Sequence, residues 1–123
     1  DSFVYNETTY NSSEFLSEDK PKKEIAIIPD TRYFPQLNEF VKNSDIIISE
    51  CTYLDEKDAH HARKNYHLSI LDIENFITES TVKRLFLTHI SARYDVDTEK
   101  SVVEKIDKTI KVSIAHDLDE YNL

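Results

Sequence analysis

Leu85-Phe86-Leu87-Thr88-His89-Ile90-Ser91-Ala92-Arg93-Tyr94 is an apolar run that stops at Thr-His and is followed by Arg-Tyr. A buried strand delivering a histidine to a reactive edge has this pattern, and such an imidazole suits a metal ion. Three other apolar runs also end on ionisable residues: Ile25 to Ile28 at Pro29-Asp30, Ile46 to Ile48 at Ser49-Glu50, and Ile110 to Ala115 at His116-Asp117. In α/β sheets ligands gather at the carboxyl ends of the strands, where side chains project into a crevice from a fixed backbone. One acid after a strand is usually a helix cap, and a lone histidine is usually structural. Four such ends in one chain point instead to a site. A carboxylate and an imidazole converging on one edge can hold zinc, or manganese where oxygen ligands dominate. His67 precedes Leu68-Ser69, where a helix begins, and can reach over the same crevice. His60 and His61 are adjacent on an expected helix, so their side chains diverge by about 100° and make a solvated surface rather than a metal pair.

The elements that must carry these residues are legible from periodicity. Continuous rather than alternating apolar runs, separated by helical patterns, indicate an α/β fold with a parallel or mixed sheet covered by helices. Pro35 suits a first helical turn, with Leu37, Phe40 and Val41 inward. Asp55 can cap a segment running to about Lys64. Ile70, Ile73, Phe76 and Ile77 form a helical stripe. Asp97 can cap a last helix with Val102, Val103 and Ile106 facing in. Residues 1–23 are polar and read as a short strand followed by a loop, set apart from 24–123.

A chain of 123 residues suits one small domain, which buries roughly two thirds of the surface its unfolded chain exposes. No run approaches the roughly 18 apolar residues of a membrane span, so a soluble protein is expected. The sequence has no methionine, so Asp1 is not expected to be the biological start; it has no glycine either, leaving Asn43, Asn65 and Asn75 as candidates for left-handed turns. A formal charge of −9 excludes a surface that attracts nucleic acid by itself. Cys51 is the lone cysteine; beside an apolar strand it reads as a buried thiol rather than a nucleophile. With no signal peptide visible, Asn6-Glu7-Thr8 and Asn11-Ser12-Ser13 read as chance sequons. The expected setting is intracellular, with cytoplasm, nucleus and organelle left open.

With these residues assembled, the chain resembles the ribonuclease Z family, tRNA 3′-processing endonucleases of the metallo-β-lactamase superfamily. Asp30-Thr31-Arg32 is similar to that family's Gly-Asp-Thr, and Ser49-Glu50-Cys51-Thr52-Tyr53 to His-Glu-Ala-Thr-Phe. Tyr66-His67-Leu68-Ser69 resembles Gly-His-Ser-Thr, Leu87 to Tyr94 resembles Leu-Thr-His-Phe-Ser-x-Arg-Tyr, and Ala115-His116-Asp117 resembles the start of Ala-x-Asp-Gly. The resemblance implies the C-terminal half of a metallo-β-lactamase αββα sandwich over 24–123. It implies that Asp30 and His89 are metal ligands, with two zinc ions per complete site, or manganese or magnesium. His67 would donate a proton to the leaving ribose oxygen, Glu50 would hold and charge its imidazole, and Arg93 would meet a phosphate. The implied reaction is metal-dependent removal of the 3′ trailer from precursor tRNA.

The departures are informative. Pro29 and Leu118 stand where the family has glycine, so the backbone should differ at both. The signature His-x-His-x-Asp-His occurs nowhere. Two ligands cannot hold two metal ions, since zinc sites use three or four. The chain by itself should therefore be inactive and expose an apolar sheet face, and a missing N-terminal half should carry the remaining ligands. The resemblance also allows a homodimer. Two other functions fit the residues: a phosphodiesterase for small diesters such as cyclic nucleotides, which the acidic charge favours, and a non-catalytic half-domain serving as scaffold or partner.

Overall fold

The computed structural model describes residues 1–17, 21–106, 108 and 110–123. Its centre is a four-stranded sheet of β3 (Ile25–Ile28), β4 (Ile46–Glu50), β5 (Arg84–Thr88) and β6 (Lys111–Ile114), in the order β3-β4-β5-β6. All three pairings are parallel. A separate antiparallel pair joins β1 (Ser2–Tyr5) to β2 (Thr8–Asn11) through Asn6 and Glu7. Those two residues have φ of 48° and 62°, the backbone of a tight hairpin loop. The polar amino-terminal segment thus forms a hairpin where one strand was expected. Glu18, Asp19 and Lys20, in the expected loop, lie outside the described residues.

Helices α1 (Gln36–Val41), α2 (Ala59–Asn65), α3 (Ile70–Thr78) and α4 (Val96–Ile106) occupy the crossovers. Parallel strands require such crossovers, because a tight turn cannot return the chain to the same end of the sheet. Ala26, Ile47, Leu85 and Val112 are register partners on one face of the sheet. They join Leu37, Val41, Ile70, Ile73, Phe76 and Ile106 in a single core. Full burial of each such aliphatic side chain contributes about 1.5–3 kcal/mol relative to exposure. The α3 stripe is as the periodicity indicates, with Ile70, Ile73 and Phe76 buried. On α1, however, Phe40 is exposed while Leu37 and Val41 are buried, because a six-residue helix presents only a narrow inward face. The cap of α4 is Asp95, not Asp97: its Oδ1 accepts from Thr98 N at 2.8 Å and Thr98 Oγ1 at 2.7 Å. These bonds hold the Asp95 carboxyl below its usual pKa.

The other sheet face is only partly covered. Ile27, Ile48 and Phe86 are register partners there, and Tyr121 packs edge-on against Phe86 at 4.7 Å between centroids. Arg84 lies over the same ring at 4.6 Å. Towards edge strand β3 this cover runs out, and Ile27 is 63% exposed. The arrangement is that of half an α/β sandwich, with helices packed on one face and apolar surface on the other. Among the described residues, no helix is long and apolar enough to cross a membrane.

Candidate metal and catalytic site

Three of the four ionisable strand ends meet. Asp30, Glu50 and His89, together with His67, each offer an atom suited to a metal ion, and these atoms all lie within 4.8 Å of one another. Asp30 follows β3, Glu50 ends β4 and His89 follows β5. Parallel pairing brings these ends side by side, Glu50 being the register partner of Thr88. His67 arrives differently. The chain after β4 pairs once more, Tyr53 with Ser69, where Tyr53 N donates to Leu68 O at 3.3 Å and Ile70 N to Tyr53 O at 2.8 Å. A capping box at Ser69 and Asp72 starts α3 at this point. Together they hold His67 beside Glu50.

Glu50 is buried at 1% exposure and is surrounded by donors. Its Oε2 accepts from Thr52 N at 2.9 Å and Thr52 Oγ1 at 3.0 Å, and its Oε1 accepts from Leu68 N. His67 Nδ1 lies 3.5 Å from the same Oε1, within reach of charge attraction but without hydrogen-bond geometry. Glu50 is thus held mainly by Thr52 and Leu68, and the imidazole faces it as a further partner. In the complete protein, Glu50→Gln turns an amide N–H₂ towards at least one of these buried donors. We expect a loss of about 2 kcal/mol in urea denaturation; an unchanged midpoint would contradict the bonding described.

His89 has φ of 57°, a left-handed conformation that costs a residue with a Cβ on the order of 1–3 kcal/mol. The turn begins as β5 ends. It brings His89 Nδ1 to 2.9 Å from Thr52 Oγ1 and His89 Nε2 to 3.8 Å from Asp30 Oδ2. The single Thr52 hydroxyl proton can serve the Glu50 carboxylate, which only accepts; the hydroxyl oxygen then accepts from His89 Nδ1–H. That tautomer leaves the Nε2 lone pair turned towards Asp30. The His67 and His89 rings are stacked, 5.2 Å between centroids and 23° apart.

The fit to a divalent cation rests on this donor set. Asp30 and His89 are half exposed and present an oxygen and an imidazole nitrogen to the crevice, whereas Glu50 is already engaged by protein donors. Two donors with room for others make a partial site for a divalent cation.

The remaining candidates lie elsewhere. Arg93 Nη1 is 3.6 Å from Asp58 Oδ1, and its guanidinium lies 5.2 Å from the Tyr53 ring centroid. Asp58 also accepts from Tyr94 Oη at 2.6 Å. Burial, followed by this bond, pushes Tyr94 up to about 12, so it remains a donor at neutral pH. His116 does not join the cluster; its Nε2 is 3.5 Å from Glu99 Oε2. His60 and His61 lie ring against ring at 3.9 Å, with His61 stacked on Tyr53. Cys51 is fully buried, and burial pushes its thiol well above the ordinary value, which leaves no thiolate for nucleophilic chemistry.

Thr52 was not singled out from the sequence. The available signal is an acid followed two residues later by a threonine, a spacing at which the carboxylate can accept from both its N–H and its hydroxyl. Among the described residues, the left-handed positions fall outside the three asparagines expected: they are Asn6, Glu7, Tyr66, His89 and Leu118. Leu118, at φ 69°, takes the left-handed backbone that favours glycine.

Comparison with known proteins follows this geometry. The chain is 36% identical over 106 residues to the ribonuclease Z of Staphylococcus epidermidis, covering 86% of the chain and 34% of that protein. It is 30% identical over 126 residues to the ribonuclease Z of Staphylococcus carnosus, covering 100% of the chain and 41% of the relative. For the ribonuclease Z of Lactobacillus helveticus the figures are 31% over 117 residues, 94% of the chain and 37% of the relative. The chain thus spans about a third to two fifths of the length of these curated relatives. No family model matches it.

Proposed function

From the premise that this chain is homologous over most of its length to proteins named ribonuclease Z, we propose that it is the catalytic C-terminal part of a metal-dependent endoribonuclease that removes the 3′ trailer of precursor tRNA. The single observation that carries this reading is the convergence of Asp30, Glu50, His67 and His89 within 4.8 Å. Asp30 and His89 hold a divalent cation, which when bound polarises a phosphoryl oxygen and makes water a better nucleophile. His67 gives a proton to the leaving ribose oxygen, its Nδ1 facing the buried Glu50 carboxylate at 3.5 Å. Arg93 exchanges its contact with Asp58 for a substrate phosphate, to which its planar fork is suited.

The rest of the protein supplies what this chain lacks. Two ligands do not complete a zinc site, and Ile27, at 63% exposure, leaves apolar surface uncovered on the sheet. A further part of the domain carries the remaining ligands and packs against that face. Zinc and RNA specificity, and a homodimeric assembly, belong to this same reading.

Thr52 is the positioning residue for His89. In the complete protein, Thr52→Val keeps the side-chain shape and the backbone N–H bond to Glu50 but removes the hydroxyl's bonds to Glu50 and His89, and we expect metal affinity to fall about 10–100-fold in a chelator competition. Thr52→Ser should restore most of it; equal affinities for the two variants would refute the role.

The reading itself is tested by incubating the complete protein with precursor tRNA and with bis-p-nitrophenyl phosphate, with and without chelator. Chelator-sensitive release of the 3′ trailer supports it. Cleavage of the small diester alone favours a small-molecule phosphodiesterase, consistent with the charge of −9. No cleavage of either, and no stoichiometric metal, identifies a scaffold.

A further inference from the structure

The residues preceding His67 and following Asp30 form a contact that the proposed chemistry does not use. Tyr66 is 63% exposed and caps the carboxyl end of α2 with φ 60° and ψ 44°, a left-handed conformation disfavoured for any residue with a Cβ. The Arg32 guanidinium lies 4.2 Å from its ring centroid. Arg32 is exposed and, among the described residues, is within 4.0 Å of no carboxylate, whereas Lys57 and Arg93 each have one and Lys105 has two. One residue separates Arg32 from Asp30, and Tyr66 adjoins His67. The pair therefore lies on the two loops that deliver the donor atoms of Asp30 and His67 to within 4.8 Å.

We propose that Arg32 and Tyr66 form a nucleotide clamp on the rim of the site, with the base stacked on the face of the Tyr66 ring opposite the guanidinium and the phosphate held by Arg32. The clamp rests on the ribonuclease reading, since the nucleotide is one that flanks the scissile bond in RNA. An exposed aromatic face stacks any base, and a guanidinium offers paired N–H donors to phosphate oxygens. In a chain of net charge −9, Arg32 places a guanidinium on the rim of a site that otherwise carries the carboxyls of Asp30 and Glu50, a cation that an RNA backbone can use. The strained backbone at Tyr66 is consistent with a ring placed for binding, because packing contributes little to a side chain this exposed.

The test uses the complete protein, chelated to prevent cleavage, and fluorescence anisotropy on labelled precursor tRNA with either natural or abasic residues flanking the cleavage position. Tyr66→Leu should weaken binding of the natural RNA about tenfold, lose far less on the abasic RNA, and be rescued by Tyr66→Phe. Arg32→Gln should weaken both RNAs and reduce the log–log salt slope by about one. Tyr66→Gly should bind like Tyr66→Leu while its thermal midpoint holds or rises, since glycine relieves the left-handed backbone. Equal losses on the two RNAs, no rescue by phenylalanine, or a lower midpoint for Tyr66→Gly with RNA binding retained would overturn the clamp and make the contact a structural clasp. If the unsubstituted protein cleaves precursor tRNA and the variants bind as it does, only the clamp fails. If the unsubstituted protein neither binds nor cleaves RNA, the ribonuclease reading fails and the clamp falls with it.

Discussion

Asp30→Ala in the complete protein is expected to lower precursor tRNA cleavage by about a thousandfold, because a divalent cation supplies several kcal/mol of transition-state stabilisation and every 1.4 kcal/mol is worth a factor of ten. Asp30 is the exposed carboxylate of the cluster, 3.8 Å from His89 Nε2 and without the ring of protein donors that engages Glu50. On the proposed reading its removal takes away a ligand rather than a structural support, so the folded protein should persist. Two measurements distinguish these effects: elemental analysis should record less bound metal, while the denaturation midpoint measured in chelator, where metal stabilises neither protein, stays near that of the parent. Retention of full activity would sink the assignment of Asp30. Loss of activity with metal content unchanged would move its role from ligand to some other task.

His67→Ala carries the second large effect, and the choice of substrate makes it diagnostic. A ribose oxygen is a poor leaving group and needs a proton, for which a positioned acid contributes about 10²–10⁴-fold. A p-nitrophenolate leaves readily without one. We therefore expect a loss of about 10³-fold on precursor tRNA but under about tenfold on bis-p-nitrophenyl phosphate. Equal losses on both substrates would place His67 in metal binding or packing instead. That alternative is physical, because His67 offers one of the four clustered donor atoms and its ring stacks on His89. Elemental analysis of the variant adds an independent readout: a general acid can be removed without releasing metal, whereas a ligand cannot.

Together the two variants separate functions that geometry alone places within a few ångströms. Glu50 and Thr52 lie behind them. A carboxylate at 1% exposure with three hydrogen-bond donors is costly to disturb, and the Thr52 hydroxyl connects it to His89. Substitutions at Glu50 should therefore reduce stability as well as rate, and only the stability measurement separates the two contributions.

Much was legible before any coordinates. Runs of β-branched and aliphatic residues can hide only in a sheet or a core, so Ile25–Ile28, Ile46–Ile48 and Leu85–Leu87 declared the strands, and an ionisable residue after each marked the crevice. The stripe of Ile70, Ile73 and Phe76 declared α3 through its spacing alone. Local signals failed where competing groups stood close together. Asp95 and Asp97 both suit a cap, and only the backbone geometry selected Asp95. Phe40 and Leu37 both suit an inward face, and the shortness of α1 left Phe40 outside.

What only the tertiary structure decided is which strand ends share a point. Sequence order cannot separate His89 from His116, since each follows an apolar strand. The order β3-β4-β5-β6 sets β6 at the far edge, where His116 meets Glu99, and the left-handed turn at His89 sends that ring towards Asp30 instead. Thr52 likewise gains its place from long-range pairing, because its hydroxyl links Glu50 to His89, 37 residues further along the chain, only once β4 and β5 lie side by side. Composition and periodicity act along the chain, and a site is made by distances across it.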